Sequence, residues 1–218
     1  TFEALGPEDT RELATRAAGW EKTQSVATWM VLEPAIARSA GAATLTRQPD
    51  GSLLASGPAP EKDVYTLVAW TDLTGITGVR LEVLPDPSLK ASGPGRSDSG
   101  NLVLSEIRLA AAPASDPGAA KRATLDSPSA DFSQPDFPPA AALDGKPETG
   151  WAIGPEPGKA HQAVFETKEE LGAPGGTILT FTLEQGFGGK HTIGRLRLSV
   201  TTGRKPVRAG GLPEEISR

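Results

Sequence analysis

Glycine and proline restrict this chain more than any other residues, with 25 glycines and 20 prolines spread over 218 positions in no collagen-like period. Proline fixes φ and removes a backbone donor, and glycine inside a helix costs about 1 kcal/mol relative to alanine, so breakers this frequent leave no room for long helices. Between them lie short apolar or alternating runs at 26–32, 43–47, 52–55, 64–70, 78–84, 102–109, 162–165, 177–183 and 192–201. Short strands punctuated by Pro, Gly and Asp are the pattern of an all-β protein, and a jelly-roll β-sandwich is the expected architecture.

Two runs carry that expectation best. Val79-Arg80-Leu81-Glu82-Val83 alternates at period two, which buries one face and leaves Arg80 and Glu82 on the other. Arg195-Leu196-Arg197-Leu198-Ser199-Val200 repeats the device. Trp29 alternates with Val31 and reads as a core residue. The polar run ahead of residue 22 suits a short N-terminal helix or linker over 1–22, and 206–218, rich in Arg, Lys, Pro and Gly and then acidic, reads as an exit linker. The module proper is expected over 23–205. Ala, Pro, Ser and Asp dominate 110–134, which suits either a linker between sub-halves 23–112 and 120–205 or a long excursion inside one fold. No residue-by-residue repeat relates the halves, and each lacks part of a jelly roll. One composite sandwich is therefore the reading.

Several function classes fall away. The net charge is −5 with 22% charged residues, and no clustered basic stripe of the kind nucleic acid needs stands out, so no nucleic-acid partner is expected. The chain has no cysteine, hence no disulfide, thiolate metal site or haem attachment of its own. No apolar run reaches the roughly 18 residues of a membrane span, and the opening at Thr1 without a secretory signal reads as a piece of something longer. The two histidines, His161 and His191, sit in no nucleophile elbow or paired metal motif, and no carboxylate pair is marked for glycoside hydrolysis. An enzyme is not expected.

The stretch Ala141-Ala142-Leu143-Asp144-Gly145-Lys146-Pro147-Glu148-Thr149-Gly150-Trp151 resembles the loop signature of discoidin-type, galactose-binding-like sandwiches. Ile76 to Leu89, Gly93-Pro94-Gly95-Arg96, Gly100 to Glu106 and Ile193 to Thr201 resemble a region between uncharacterised domains of large planctomycete-type cytochrome c proteins, over about residues 20 to 205. The resemblance implies a periplasmic or cell-surface multidomain protein, with haem and uncharacterised domains flanking an accessory module that holds polysaccharide.

Sugar recognition in water combines an aromatic face against the apolar side of a pyranose with planar polar groups that satisfy its hydroxyls. The candidate ligand residues are therefore Trp70 at a strand end and Trp151 after the Asp-Gly turn. They are joined by Asp86, Arg96, Asp98 and Asn101 in the Pro- and Gly-rich loop 84–101, and by Phe187, Lys190 and His191 in the loop after Gln185. Each has a bland counterpart: Trp151 packing beneath its loop, Arg96 pairing with Asp86 or Asp98, and 185–191 serving as a plain hairpin. A structural calcium is the one ion considered, with Asp136, Asp144 and Glu148 as oxygen donors, against the simpler role of Asp144 in capping its own turn. No cofactor is expected within the domain.

Overall fold

The computed structural model describes residues 27–210, so the helix expected over 1–22 lies outside the described residues. Fourteen strands are present there: β1 (Met30–Val31), β2 (Ile36–Ser39), β3 (Thr44–Arg47), β4 (Leu53–Ser56), β5 (Asp63–Thr71), β6 (Ile76–Val83), β7 (Val103–Leu104), β8 (Glu106–Pro113), β9 (Lys121–Ala123), β10 (Leu125–Ala130), β11 (Trp151–Ala152), β12 (His161–Leu171), β13 (Thr177–Gln185) and β14 (Arg195–Thr201). Only three short 3-10 turns interrupt them among the described residues. The fold is all-β and antiparallel.

One sheet runs β10-β12-β6-β14-β4-β3 with β1 added against β14, a second runs β2-β5-β13-β8-β9, and β11 pairs with β7 in a separate two-stranded ladder. Period-two patterning assigns the faces. Tyr65, Leu67 and Ala69 of β5 and Leu179, Phe181 and Leu183 of β13 point inward from one sheet; Val79, Leu81 and Val83 of β6 and Leu196, Leu198 and Val200 of β14 point inward from the other. These side chains share one core with Trp151, Phe165 and Ile107. Full burial of each large apolar side chain contributes about 1.5–3 kcal/mol. Outward-facing Arg197 forks onto Glu82 through two 2.8 Å hydrogen bonds, and Arg195 reaches Asp50 at 2.9 Å and Asp86 at 3.3 Å. Hydrogen bonds from Ser52 and Ser88, seconded by these arginines, hold the Asp50 and Asp86 carboxyls below their ordinary range despite opposing desolvation.

Strands from both parts of the chain alternate within each sheet. β13 lies between β5 and β8, and β6 lies between β12 and β14. Neither 23–112 nor 120–205 contains a complete sheet.

Three sequence expectations change. The segment 110–134 is neither linker nor free excursion: β8 continues to Pro113, β9 extends the second sheet, and β10 forms the edge of the first against β12. Small polar residues and Pro128 hide these strands, but edge positions tolerate proline because one side of the backbone needs no partner. The expected linker is fastened as far as it is described. Val207 is 2% exposed and its N–H donates to a carboxylate oxygen of Glu166 at 2.8 Å, and the Ala209 N–H donates to Ser129 Oγ at 2.9 Å. Trp29 is half-buried on the outer face of the sheet rather than in the core, with its ring 4.8 Å from the Arg80 guanidinium carbon, a cation–π contact.

Candidate functional site

Four loop segments meet at one end of the sandwich because the strands they join are neighbours in register. Asp63 at the start of β5 opposes Gln185 at the end of β13, which brings 57–62 beside 186–194. The Gly189 N–H donates to Glu61 Oε2 at 2.9 Å and the Lys190 N–H to the Glu61 carbonyl at 3.3 Å. The loop 84–102 is attached through Arg96 N–H to the Thr192 carbonyl at 2.8 Å, and the Val103 N–H donates to the His191 carbonyl at 3.0 Å. The Asp-Gly region joins through Ser105 Oγ, which donates to the Pro147 carbonyl at 2.8 Å and accepts from the Gly186 N–H at 3.0 Å.

On this frame three rings come together. Phe187 is 42% exposed, and edge-on contacts hold it at 5.5 Å to Phe137 and 5.4 Å to His191. His191 Nδ1 lies 2.9 Å from the Gly188 carbonyl, and because a carbonyl only accepts, Nδ1–H is the donor in that bond. Lys190 takes a φ of +58°, a left-handed conformation that costs a non-glycine residue about 1 kcal/mol, and the Glu61 contacts hold it there. An exposed ring with a fixed tilt, beside an imidazole and in a loop that carries Lys190 and is tied to Glu61, can stack on an apolar ligand face while polar groups of that loop meet its hydroxyls.

The remaining candidates divide. Trp70 is 56% exposed but lies near the far end of β5 from Asp63, about 23 Å away by strand rise, so it shares no site with Phe187. Its indole rests over Gly176, where an added Cβ would come within 2.4 Å of Nε1. Trp151 is 0% exposed and its indole N–H donates to the Phe132 carbonyl at 2.9 Å; a ring with no accessible surface cannot touch a ligand, so it leaves the candidate set. Arg96 pairs with neither Asp86 nor Asp98. It donates to the carbonyls of Pro58 at 2.7 Å and Gly57 at 2.8 Å, fastening its loop to 57–62. Asp86 is engaged by Ser88 and Arg195 instead, and Asp98 stands exposed in the turn closed by Gly100 N–H to the Ser97 carbonyl. Asn101 is a brace: its amide donates to Gln134 Oε1 at 2.9 Å and its carbonyl oxygen accepts the Ile153 N–H at 3.2 Å.

Asp136, Asp144 and Glu148 do not converge on an ion. Asp144 accepts the Lys146 N–H and the Thr149 hydroxyl, both at 2.9 Å, and Asp136 and Glu148 are exposed on separate turns. Among the described residues no group of three or more His, Cys, Asp or Glu is arranged to hold a metal. Sequence reasoning missed Phe137 and Glu61. The prolines on both sides of Asp136-Phe137 were the available signal of an ordered surface segment, whereas Glu61 becomes relevant only through the register of β5 and β13.

The chain matches no protein-family model, no curated protein and no solved structure. Among the described residues no helix is long and apolar enough to cross a membrane.

Proposed function

We propose that this chain is a non-catalytic module that binds polysaccharide through the loop end of the sandwich, with Phe187 as platform and Lys190, His191 and Glu61 as polar partners. The observation that carries the reading is the fixed exposure of Phe187. A large ring facing water between two other rings, in a loop tied down by backbone hydrogen bonds, is a preorganised surface that loses little entropy on binding. In keeping with the resemblance to planctomycete-type cytochrome c proteins, the module would keep a larger periplasmic or surface protein, with haem domains elsewhere in its chain, near a glycan.

Affinity electrophoresis over neutral, uronic and sulfated polysaccharides tests this, with and without calcium. Retardation by one class is expected, with its loss in Phe187→Ala and its persistence in Trp70→Ala. If no polysaccharide retards the protein, the reading fails.

A second reading, a spacer or protein-interaction domain, draws on the outer face of the five-stranded sheet. There Ile36 and Trp70 are exposed beside half-buried Val68 and Ile178, an apolar surface suited to a neighbouring domain. Retardation by no polysaccharide would favour this reading, whereas retardation abolished by Trp70→Ala and untouched by Phe187→Ala would move the glycan site to that face.

A further inference from the structure

At the opposite end of the sandwich from the loops, a groove of about 380 Å³ is lined by Thr77, Lys168, Glu170, Thr202, Gly203, Arg204 and Lys205. Its position follows from the strands: Thr77 is the second residue of β6, Lys168 and Glu170 belong to the end of β12, and the other four residues follow β14. Three cations thus face a single carboxylate in a chain whose net charge is −5.

The wall is already ordered. Thr77 Oγ1 donates to the Gly203 carbonyl at 2.6 Å, which fixes the turn leaving β14, and the Lys205 ammonium is anchored on the carbonyls of Thr167 and Lys168. Lys168 and Arg204 are different: both are exposed, and among the described residues neither side chain has an acidic or carbonyl partner. Like charges gathered in one groove repel, and an anion between them turns that repulsion into attraction. The guanidinium offers a planar fork suited to an oxyanion, and the ammonium adds a point charge.

We propose that this groove is a subsite for an oxyanion, a sulfate ester or a carboxylate, carried by the polysaccharide; the glycan context rests on the reading given above. A polymer long enough to reach both ends would engage the aromatic loops and the groove together, and the second contact then forms at a high effective concentration.

Two probes separate this proposal from the loop site. Inorganic sulfate, exchanged for chloride at constant ionic strength, is expected to shift the amide resonances of Thr77, Thr202 and Gly203 saturably. Dextran sulfate is expected to retard the protein more than unsulfated dextran. In Lys168→Ala/Arg204→Ala both effects should weaken by about tenfold or more, the loss typical of charge-assisted hydrogen bonds. Glu170→Gln should strengthen both, a gain that misfolding cannot mimic. Unmoved groove resonances, or a double variant that responds like the parent, would overturn the proposal. Failure of the loop reading looks different: Phe187→Ala leaves the retardation unchanged while the sulfate response stays intact.

Discussion

Tyr65 is the only tyrosine in the chain, so the tyrosinate that appears at 295 nm over the tryptophan background comes from this residue alone. It is fully buried between the sheets, and its hydroxyl donates to the Ile193 carbonyl at 2.8 Å. Burial pushes the phenol up from its ordinary 10.0 to about 12, with the Asp63 charge adding to the rise and Arg96 opposing it. A group raised on folding stabilises the fold fully below its unfolded value, and that stability is lost as pH climbs through the folded value. The window is therefore pH 10 to about 12. Two pKa units at about 1.4 kcal/mol each amount to about 3 kcal/mol, or roughly 5–10 °C in Tm for a domain of this size. Lysines titrate in the same range, so the comparison is with Tyr65→Phe, which retains them. At pH 7 the variant should be less stable by about 1–3 kcal/mol, because the Ile193 carbonyl is left buried without its donor. Between pH 10 and 12 the gap should close or reverse, since only the parent must keep a phenol neutral. Calorimetric melts at several alkaline pH values measure this, beside the 295 nm titration. A folded-state absorbance midpoint near 10, or parallel alkaline melting of parent and variant, would refute the reasoning.

Other substitutions probe other contacts. Desolvation raises the pKa of buried Glu106 against the Gly145 N–H and Arg108, which lower it, so its charged form weighs on the fold once pH rises above the folded value. Glu106→Gln should raise Tm at pH 7 and show no advantage below about pH 4; a variant that melts lower at pH 7 would mean that the Gly145 contact outweighs desolvation. Arg96→Ala should cost about 1–2 kcal/mol and speed hydrogen exchange in 57–62 and 93–102 together, because one guanidinium serves both loops; exchange accelerating in only one loop would contradict that link. Gly176→Ala forces a Cβ into the Trp70 ring at a φ of +105°, and denaturant melts should show a loss of more than about 2 kcal/mol. Adding Trp70→Ala removes the clash but not the strained φ, so the two losses should combine to less than their sum.

The parts of the fold legible in the sequence were those where burial acts on alternate residues. Arg80 and Glu82 face out and Val79, Leu81 and Val83 face in, as their alternation requires, and the same holds along β14. The β9 and β10 strands were illegible because their side chains are small and polar and their existence depends on the neighbours β8 and β12. Val207 was hidden for a similar reason: one apolar residue between prolines and arginines carries no period. The position of Trp29 depended on a strand of only two residues, too short to hold the expected alternation through the tryptophan. At the loop end, Phe187, Lys190 and His191 lie close in sequence, so composition reached them. Phe137, fifty positions earlier, joins them only through tertiary contact.

The alternation of early and late strands has a consequence for synthesis. A ribosome releases β5, β6 and β8 well before β12, β13 and β14, the strands that must slide between or beside them. Until about residue 201 emerges, the nascent chain holds apolar strand faces with unpaired edges and no way to close them. Long-range pairing of this kind makes folding slow, and the waiting interval is when such a chain is open to aggregation. Production of this protein should therefore respond more to chaperone supply and lowered temperature during translation than a sandwich of its size built from successive hairpins.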